Sequence, residues 1–120
     1  ALGLRFIYFA FLLFIADAAI SGTESDTTDV ADFEVSKEIL AIIGDPEYGE
    51  YLAGDCTGCH QADGSYDGIP SITGWDIESF VWAMHSYKQK VREHPVMQMM
   101  AGRLSDEEIA ALAAYFETLE

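Results

Sequence analysis

Basic residues are scarce in this sequence. Six Lys and Arg stand against 21 Asp and Glu among 120 residues, which gives a formal net charge of −15. Proteins that bind nucleic acid need clustered Lys and Arg to neutralise phosphates, so this balance argues against a nucleic-acid partner. It also argues against attachment to anionic lipid by charge alone.

Cysteine and strand-like patterns are scarce as well. The two cysteines lie three positions apart, too close to join distant loops, which excludes a disulfide scaffold. No segment alternates between apolar and polar residues, and no internal repeat is visible. Apolar residues instead recur at helical spacing, so the sequence predicts an all-α fold with one small domain.

The N-terminal residues 1–20 are the most apolar part of the chain. Their only charges are Arg5 and Asp17, and residues 6–16 form an unbroken apolar run. A helix of this length spans about 30 Å, the thickness of a bilayer core, so we expect a single-helix membrane anchor. Arg5 would keep the N-terminus cytoplasmic and place the remainder on the periplasmic side. A secretory signal peptide, still uncleaved in this sequence, is the alternative, because Ala16-Asp17-Ala18 at the end of the apolar run resembles a small-residue cleavage site.

Residues 21–44 predict an acidic tether followed by a short helix. The segment SGTESDTTDVAD has few large apolar residues and cannot offset the entropy of ordering. The segment VSKEILAIIG has apolar residues at near-helical spacing and ends at Gly44, where glycine suits a left-handed C-terminal position.

Residues 45–120 predict a compact domain with three main helices. The first begins at Asp45 and Pro46 and runs to the cysteines, and an irregular, glycine-rich loop covers residues 61–74. The second helix starts near Ile77 and stops near Pro95. The third begins with a capping box, in which Ser105 is followed three positions later by a glutamate.

The sequence Cys56-Thr57-Gly58-Cys59-His60 has the C-x-x-C-H spacing that attaches haem c. Two thiols on one helical turn can each add to a vinyl group of the same porphyrin, and the adjacent imidazole then reaches the iron as proximal ligand. Cys56 and Cys59 are therefore candidate attachment residues, and His60 is a candidate iron ligand.

Two other uses of these cysteines remain open. A thioredoxin-like redox pair also has the C-x-x-C spacing, but it needs a strand-helix-strand context that this helical pattern lacks. A zinc site could draw on Cys56, Cys59, His85 and His94, yet eight residues separate the two histidines where compact zinc modules use three to five.

The second axial ligand distinguishes an electron carrier from a site open to small molecules. Met84 lies in an apolar helical stripe and is expected to fill the core. The other candidates are Met97, Met99 and Met100, in a stretch after Pro95 that we expect to be irregular. A thioether ligand favours reduced iron and closes the site. His85 and His94 are expected to be ordinary surface residues, with a bis-histidine site as the alternative.

Three stretches give residues 45–119 a resemblance to class I c-type cytochromes: DPEYGEYLAGDCTGCH, GIPSITG and PVMQMMAGRLSDEEIAALAAYF. The last is similar to small bacterial cytochromes and to the haem subunits of sulfide-oxidising flavocytochromes. The resemblance implies the small cytochrome c fold around one haem, with the ligand methionine eight positions before Ser105, at Met97. It also implies that the carbonyl of Pro70 accepts a hydrogen bond from His60, and that Gly49 and Tyr115 mark a helix crossing.

Together these features predict a one-electron carrier rather than an enzyme. We expect one covalent haem c with its iron, redox protein partners at the membrane, and attachment through the N-terminal segment. A fixed subunit of a larger membrane oxidoreductase or photosynthetic complex is the main alternative, and a haem sensor or peroxidase is a further one. Lys88, Lys90 and Arg92 form the only basic cluster, which either complements a helix dipole or borders the haem.

Overall fold

The computed structural model describes residues 30–66 and 68–120. The predicted anchor, residues 1–20, and most of the predicted tether lie outside these described residues. Within them, no helix combines the length and apolar character needed to cross a membrane. The described elements are a 3-10 turn at Val30–Asp32 and helices α1 (Lys37–Leu40), α2 (Pro46–Leu52), α3 (Gly54–Thr57), α4 (Ile77–Lys88), α5 (Pro95–Gly102) and α6 (Asp106–Glu117). No strand occurs in this part of the chain, which confirms the prediction of an all-helical domain.

Helix α2 begins as its sequence predicts. The Asp45 carboxylate accepts a hydrogen bond of 2.9 Å from the backbone N–H of Glu47, and Pro46 occupies the first helical position. The expected continuous run to the cysteines is interrupted at Ala53, after which α3 follows. The cysteine motif is therefore held on a separate short helix that begins directly after α2.

The core lies between α4 and α6. The capping box of α6 is confirmed, since Glu108 N–H donates to Ser105 Oγ at 3.1 Å and Ser105 N–H donates to Glu108 Oε2 at 2.8 Å. The rings of Phe80 on α4 and Phe116 on α6 stack with centroids 5.6 Å apart. The buried core cluster comprises Ala53, Phe80, Val81, Met84, Ala101, Ile109, Leu112, Ala113 and Phe116. Its members come from the segments that flank the cysteine motif, so the core positions that motif.

Two glycines let the chain approach α6 closely. A Cβ at Gly49 would lie 2.0 Å from the Ala111 carbonyl oxygen and 2.8 Å from Tyr115 Cβ, which confirms the predicted crossing. A Cβ at Gly44 would lie 2.0 Å from the Ala110 carbonyl oxygen. Gly44 is not among the residues with positive φ, and α1 already ends at Leu40. The expected left-handed helix end at Gly44 is therefore wrong, and glycine is needed there for close packing.

The stretch after Pro95 is helical, contrary to the expectation of an irregular segment. Pro95 is the first residue of α5, where its missing N–H costs no hydrogen bond and its fixed φ suits the helix. His94 caps this helix, because its Nδ1 accepts a 3.3 Å hydrogen bond from the Met97 N–H. The expectation that the preceding helix stops near Pro95 is also wrong, because α4 ends at Lys88 and Lys90 has a positive φ of 61°. Proline both disfavours helix before it and favours helix from its own position, and the prediction took only the first effect into account.

Residues 30–44 pack on the domain although they precede its first long helix. Trp82 Nε1 on α4 donates a 2.8 Å hydrogen bond to the Phe33 carbonyl, and the two rings meet edge to face at 6.0 Å. Val35 and Ile39 contact the core cluster. We call residues 30–44 the strap, and its contacts cover one side of α4.

Candidate functional site

The cysteine motif continues the helical turn beyond the end of α3. Cys59 N–H and His60 N–H both donate to the Cys56 carbonyl, at 3.1 and 2.7 Å. Residues three and four positions apart on a helical turn share one face. The backbone therefore presents the two thiols and the imidazole on the same side of the turn, as attachment to a single porphyrin requires.

The two thiols differ in their surroundings. Both are free, Cys56 is half-buried against the core cluster, and Cys59 is exposed. Burial raises the pKa of the Cys56 thiol above its ordinary value, the Asp55 carboxylate raises it further, and the Arg103 guanidinium partly opposes both. Cys56 therefore lies at the edge of the apolar core and Cys59 on its solvent side.

The His60 ring is oriented by the loop that follows it. Its Nδ1 lies 2.6 Å from the Pro70 carbonyl oxygen, the contact that the resemblance implies. A carbonyl can only accept, so Nδ1 carries the proton and Nε2 keeps its lone pair for a metal. The loop is held in turn by Gly74, whose N–H donates a 2.9 Å hydrogen bond to the Phe116 carbonyl on α6. That His60 binds iron stays a prediction.

The four methionines occupy different environments. Met84 is buried in the core cluster, as expected. Met97, in the first turn of α5, is half-buried and contacts the cluster that Cys56 also contacts. Met99 is 65% exposed, and Met100 is half-buried without joining the cluster contacts. These environments favour Met97 as the ligand without testing it.

The positions of the two other histidines, His85 and His94, differ in part from the prediction and bear on the zinc alternative. His85 is only 2% exposed, so the expectation of a surface histidine is wrong for this residue. The strap lies against this part of α4, with Phe33, Val35 and Ile39 lining the same cavity as His85, and shields it from solvent. His94 is exposed, as expected, and caps α5. In residues 30–66 and 68–120, no group of three or more His, Cys, Asp and Glu side chains comes together. The described part of the chain therefore assembles no zinc site from these residues.

A scan against family models decides the classification. The family described as cytochrome c matches residues 47–120. The chain belongs to the cytochrome c family. The match begins after the strap and includes the cysteine motif, the loop and helices α4 to α6.

Individual relatives agree with this assignment. The cytochrome is 37% identical over 84 residues to cytochrome c-554(548) of Halomonas halodenitrificans, covering 64% of this chain and 99% of that protein. It is 39% identical over 72 residues to the cytochrome subunit of sulfide dehydrogenase of Chlorobaculum tepidum, covering 59% of this chain and 66% of that one. It is 37% identical over 79 residues to cytochrome c4 of Thiocapsa roseopersicina, covering 63% of this chain and 41% of that one. The cytochrome is an electron-transfer protein.

The residues of the site fit the haem c that the family implies. Two free thiols and an imidazole share one turn, and Nε2 of that imidazole remains available. Partly buried side chains contact the same core cluster as Cys56, and we call four of them the apolar border: Leu52, Ile72, Met97 and Leu104. A Cβ at Gly58, between the cysteines, would meet no described atom within 4 Å. The donor set and the apolar border together suit a porphyrin.

Two members of the basic cluster, Lys88 and Arg92, contact other parts of the domain. Lys88 donates a hydrogen bond from Nζ to the Leu104 carbonyl and lies 3.6 Å from Asp106 Oδ1. The Arg92 guanidinium lies 4.6 Å from the Tyr87 ring centroid and 5.9 Å from that of Trp82. The contact between Lys88 and Leu104 joins residues 16 positions apart, and nothing in the sequence except the charge of Lys88 indicated it.

The buried His85 predicts a pH-dependent stability. Among the described residues its Nε2 has no hydrogen-bond partner, and it lies 3.8 Å from Asp106 Oδ1, while the strap contributes Glu34 to the cavity beside it. Burial lowers the pKa of His85 below 6.5, and Lys88 lowers it too, while Asp106 opposes both. The unfolded chain then binds more protons than the folded chain as the pH decreases. The contribution of His85 to the free energy of unfolding is therefore complete above pH 6.5 and falls below it, by up to about 1.4 kcal/mol per pH unit.

Denaturant unfolding of the haem-loaded protein at pH 7.5 and 5.5 measures this effect. The variant His85→Gln cannot titrate and should lose most of the pH dependence in this interval. Hydrogen bonds from Ser105 and Tyr48 lower the pKa of Glu108, so this residue contributes to the pH dependence of stability only at more acidic pH. An equal pH dependence in His85→Gln and the parent protein would show that another group is responsible.

Proposed function

We propose that Cys56 and Cys59 attach one haem c, that His60 and Met97 are its axial ligands, and that the cytochrome carries single electrons between protein partners. The observation that carries this proposal is the 2.6 Å contact between His60 Nδ1 and the Pro70 carbonyl. It leaves Nε2 as the ring atom available to iron, and a hydrogen-bonded partner of this kind also orients the ring. Bound haem c supplies one-electron iron redox chemistry.

The protein's contribution to electron transfer is to hold its ligands still. His60 is restrained by Pro70, and Cys56 and Met97 both contact the buried core. A ligand pair that keeps its place lets the metal centre change charge with little rearrangement. The thioether of Met97 favours the reduced state and keeps water and small ligands from the sixth position.

The second part of the proposal concerns location. Residues 1–20 anchor the protein in the cytoplasmic membrane, residues 21–29 tether it, and residues 45–120, with the strap packed on them, form the haem domain on the periplasmic side. The apolar run and the position of Arg5 support this arrangement. An anchored carrier searches a small volume, so a partner in the same membrane meets it at a high effective concentration.

A fixed subunit is the second candidate function, and the name of one relative favours it, the cytochrome subunit of a sulfide dehydrogenase. Another relative, 34% identical over 67 residues and covering 53% of this chain and 31% of that protein, is the electron acceptor of thiosulfate dehydrogenase from Stutzerimonas stutzeri, a name that fits a carrier. The proposed electron donor is a dehydrogenase, whether the cytochrome is a mobile carrier or a fixed subunit. Purification in mild detergent separates the two roles, because a subunit keeps its dehydrogenase and a mobile carrier elutes alone.

The covalent bonds to haem are tested by extraction. Acidified organic solvent should leave the pigment with the wild-type polypeptide and remove it from the double variant Cys56→Ala/Cys59→Ala, which has no cysteine to form a thioether bond to haem. Thr57→Ala is a matched control, because it changes the same turn and leaves both thiols in place. Absorbance of the solvent and the pellet gives the result. Pigment that leaves the wild-type protein would refute covalent attachment.

A further inference from the structure

Lys88 binds the turn between α5 and α6. It is the last residue of α4, its Nζ donates to the Leu104 carbonyl, and the same Nζ lies 3.6 Å from Asp106 Oδ1. Leu104 comes two residues after α5 ends, and Asp106 is the first residue of α6. One ammonium group therefore connects three successive helices.

The electrostatics of this turn favour a cation. The C-terminus of α5 carries the negative end of a helix dipole, and the first turn of α6 contains only acidic charges, at Asp106, Glu107 and Glu108. Lys88 is 23% exposed, so its interactions are better shielded from water than those of a surface pair. A charge-assisted hydrogen bond in such surroundings is stronger than a neutral one.

A second tie at this end of α5 is weaker. Arg103, the C-cap of α5, lies 2.9 Å from Asp55, beside the cysteine motif. Its side chain is 51% exposed and that of Asp55 is 71% exposed. Ion pairs this exposed contribute little, so Lys88 is the main polar tie of this helix end.

Helix α5 is short enough for this tie to affect Met97. The helix has eight residues, with Met97 in its first turn and the fully buried Ala101 in its last. Two helical turns move as one unit, so a shift of the C-terminal end also displaces the first turn. The core contact of Met97 is partial, which leaves its position dependent on how the helix is held.

We propose that Lys88 is a positioning residue, which holds the α5–α6 turn through the Leu104 carbonyl and Asp106 and so keeps the Met97 sulfur at the iron. This inference rests on the proposed function, in which Met97 is the second axial ligand. Loss of the tie makes Met97 easier to displace by an added ligand. The haem-loaded domain remains folded, because its apolar core is unchanged.

Titration of the oxidised, haem-loaded full chain with imidazole tests the proposal. Imidazole binds iron only when Met97 leaves, so its apparent affinity reports how firmly Met97 is held. The variant Lys88→Met should raise this affinity about tenfold, the equivalent of a hydrogen bond to a charged group. Lys88→Arg keeps the charge and should restore most of the wild-type value. Lys90→Met removes the same charge from an exposed side chain with no ion pair among the described residues, and should leave the affinity unchanged.

Variants of Met97 and Asp106 distinguish the possible failures. Met97→Ala should bind imidazole tightly, and adding Lys88→Met should then have no further effect. If Met97→Ala leaves the affinity unchanged, the ligand assignment fails and the inference fails with it. If Met97→Ala raises the affinity while Lys88→Met matches Lys90→Met, or lowers only the denaturation midpoint, the inference alone is overturned. Asp106→Asn provides a milder variant, expected to change the affinity in the same direction.

Discussion

Replacing Met97 by alanine is expected to lower the midpoint potential and to open the sixth coordination position. A thioether stabilises reduced iron, so its loss favours the oxidised state. Axial ligands set haem potentials over a range of about 0.8 V, and the loss of one should account for a few tenths of a volt. Redox titration of the purified protein measures the potential, and carbon monoxide binding to the reduced protein reports the open position.

The neighbouring methionines provide the controls for this experiment. Met99→Ala removes a side chain that is 65% exposed and should leave the potential and spectrum unchanged. Met100→Ala removes a half-buried thioether from the same helix and should also retain six-coordinate iron. A wild-type potential in Met97→Ala, with a large decrease in Met100→Ala, would transfer the ligand role to Met100. Carbon monoxide binding by the unmodified reduced protein would favour a sensor or peroxidase.

Replacing Gly49 by alanine is expected to destabilise the domain strongly. The new Cβ would lie 2.0 Å from the Ala111 carbonyl oxygen and 2.6 Å from its carbonyl carbon. These are backbone atoms, so no side-chain rotation relieves the overlap, and α2 has to move away from α6. Overpacking costs about 1–3 kcal/mol, and we expect a value near the upper end. The intrinsic helix preference of alanine, worth about 1 kcal/mol, offsets part of it.

Thermal unfolding of the haem-loaded protein measures the effect of Gly49→Ala. A net loss of about 2 kcal/mol lowers the melting temperature of a domain this size by roughly 8–16 °C. Gly102→Ala is the matched control, since Gly102 is helical and exposed, and a Cβ there meets no atom of the described residues within 4 Å. It should be neutral or stabilising. Equal melting temperatures for the two variants would mean that α2 and α6 do not depend on this close approach.

Local signals accounted for most of the helices. The Asp45 cap, the Ser105 capping box and the apolar stripe of α6 depend on residues within a few positions of one another, and all three are present. Helix α5 was missed because a single proline carries two opposite signals. Proline disfavours helix in the residue before it and favours helix from its own position onward. Spacing alone does not show which effect dominates.

The misjudged positions depend on distant partners. Gly44 was interpreted from its neighbours in the chain, whereas its need for glycine comes from the α6 backbone at Ala110. His85 was expected at the surface because histidine is polar, yet it is buried where the strap, through Phe33, Val35 and Ile39, lies beside it. Lys88 joins the α5–α6 turn across 16 positions. Periodicity and capping rules describe a residue's own element and contain no information about what packs against it.

The sequence by itself determined the chemistry of this cytochrome, because two thiols and an imidazole within five residues limit the cofactors that can be attached there. It also determined the helical class, since helix caps and apolar stripes are local. Only the tertiary structure decided which ring nitrogen of His60 is available, which methionine contacts the core beside Cys56, and which lysine holds the turn after α5. The physical reason is that these properties depend on hydrogen bonds and packing between distant segments, and those form only when the chain has folded.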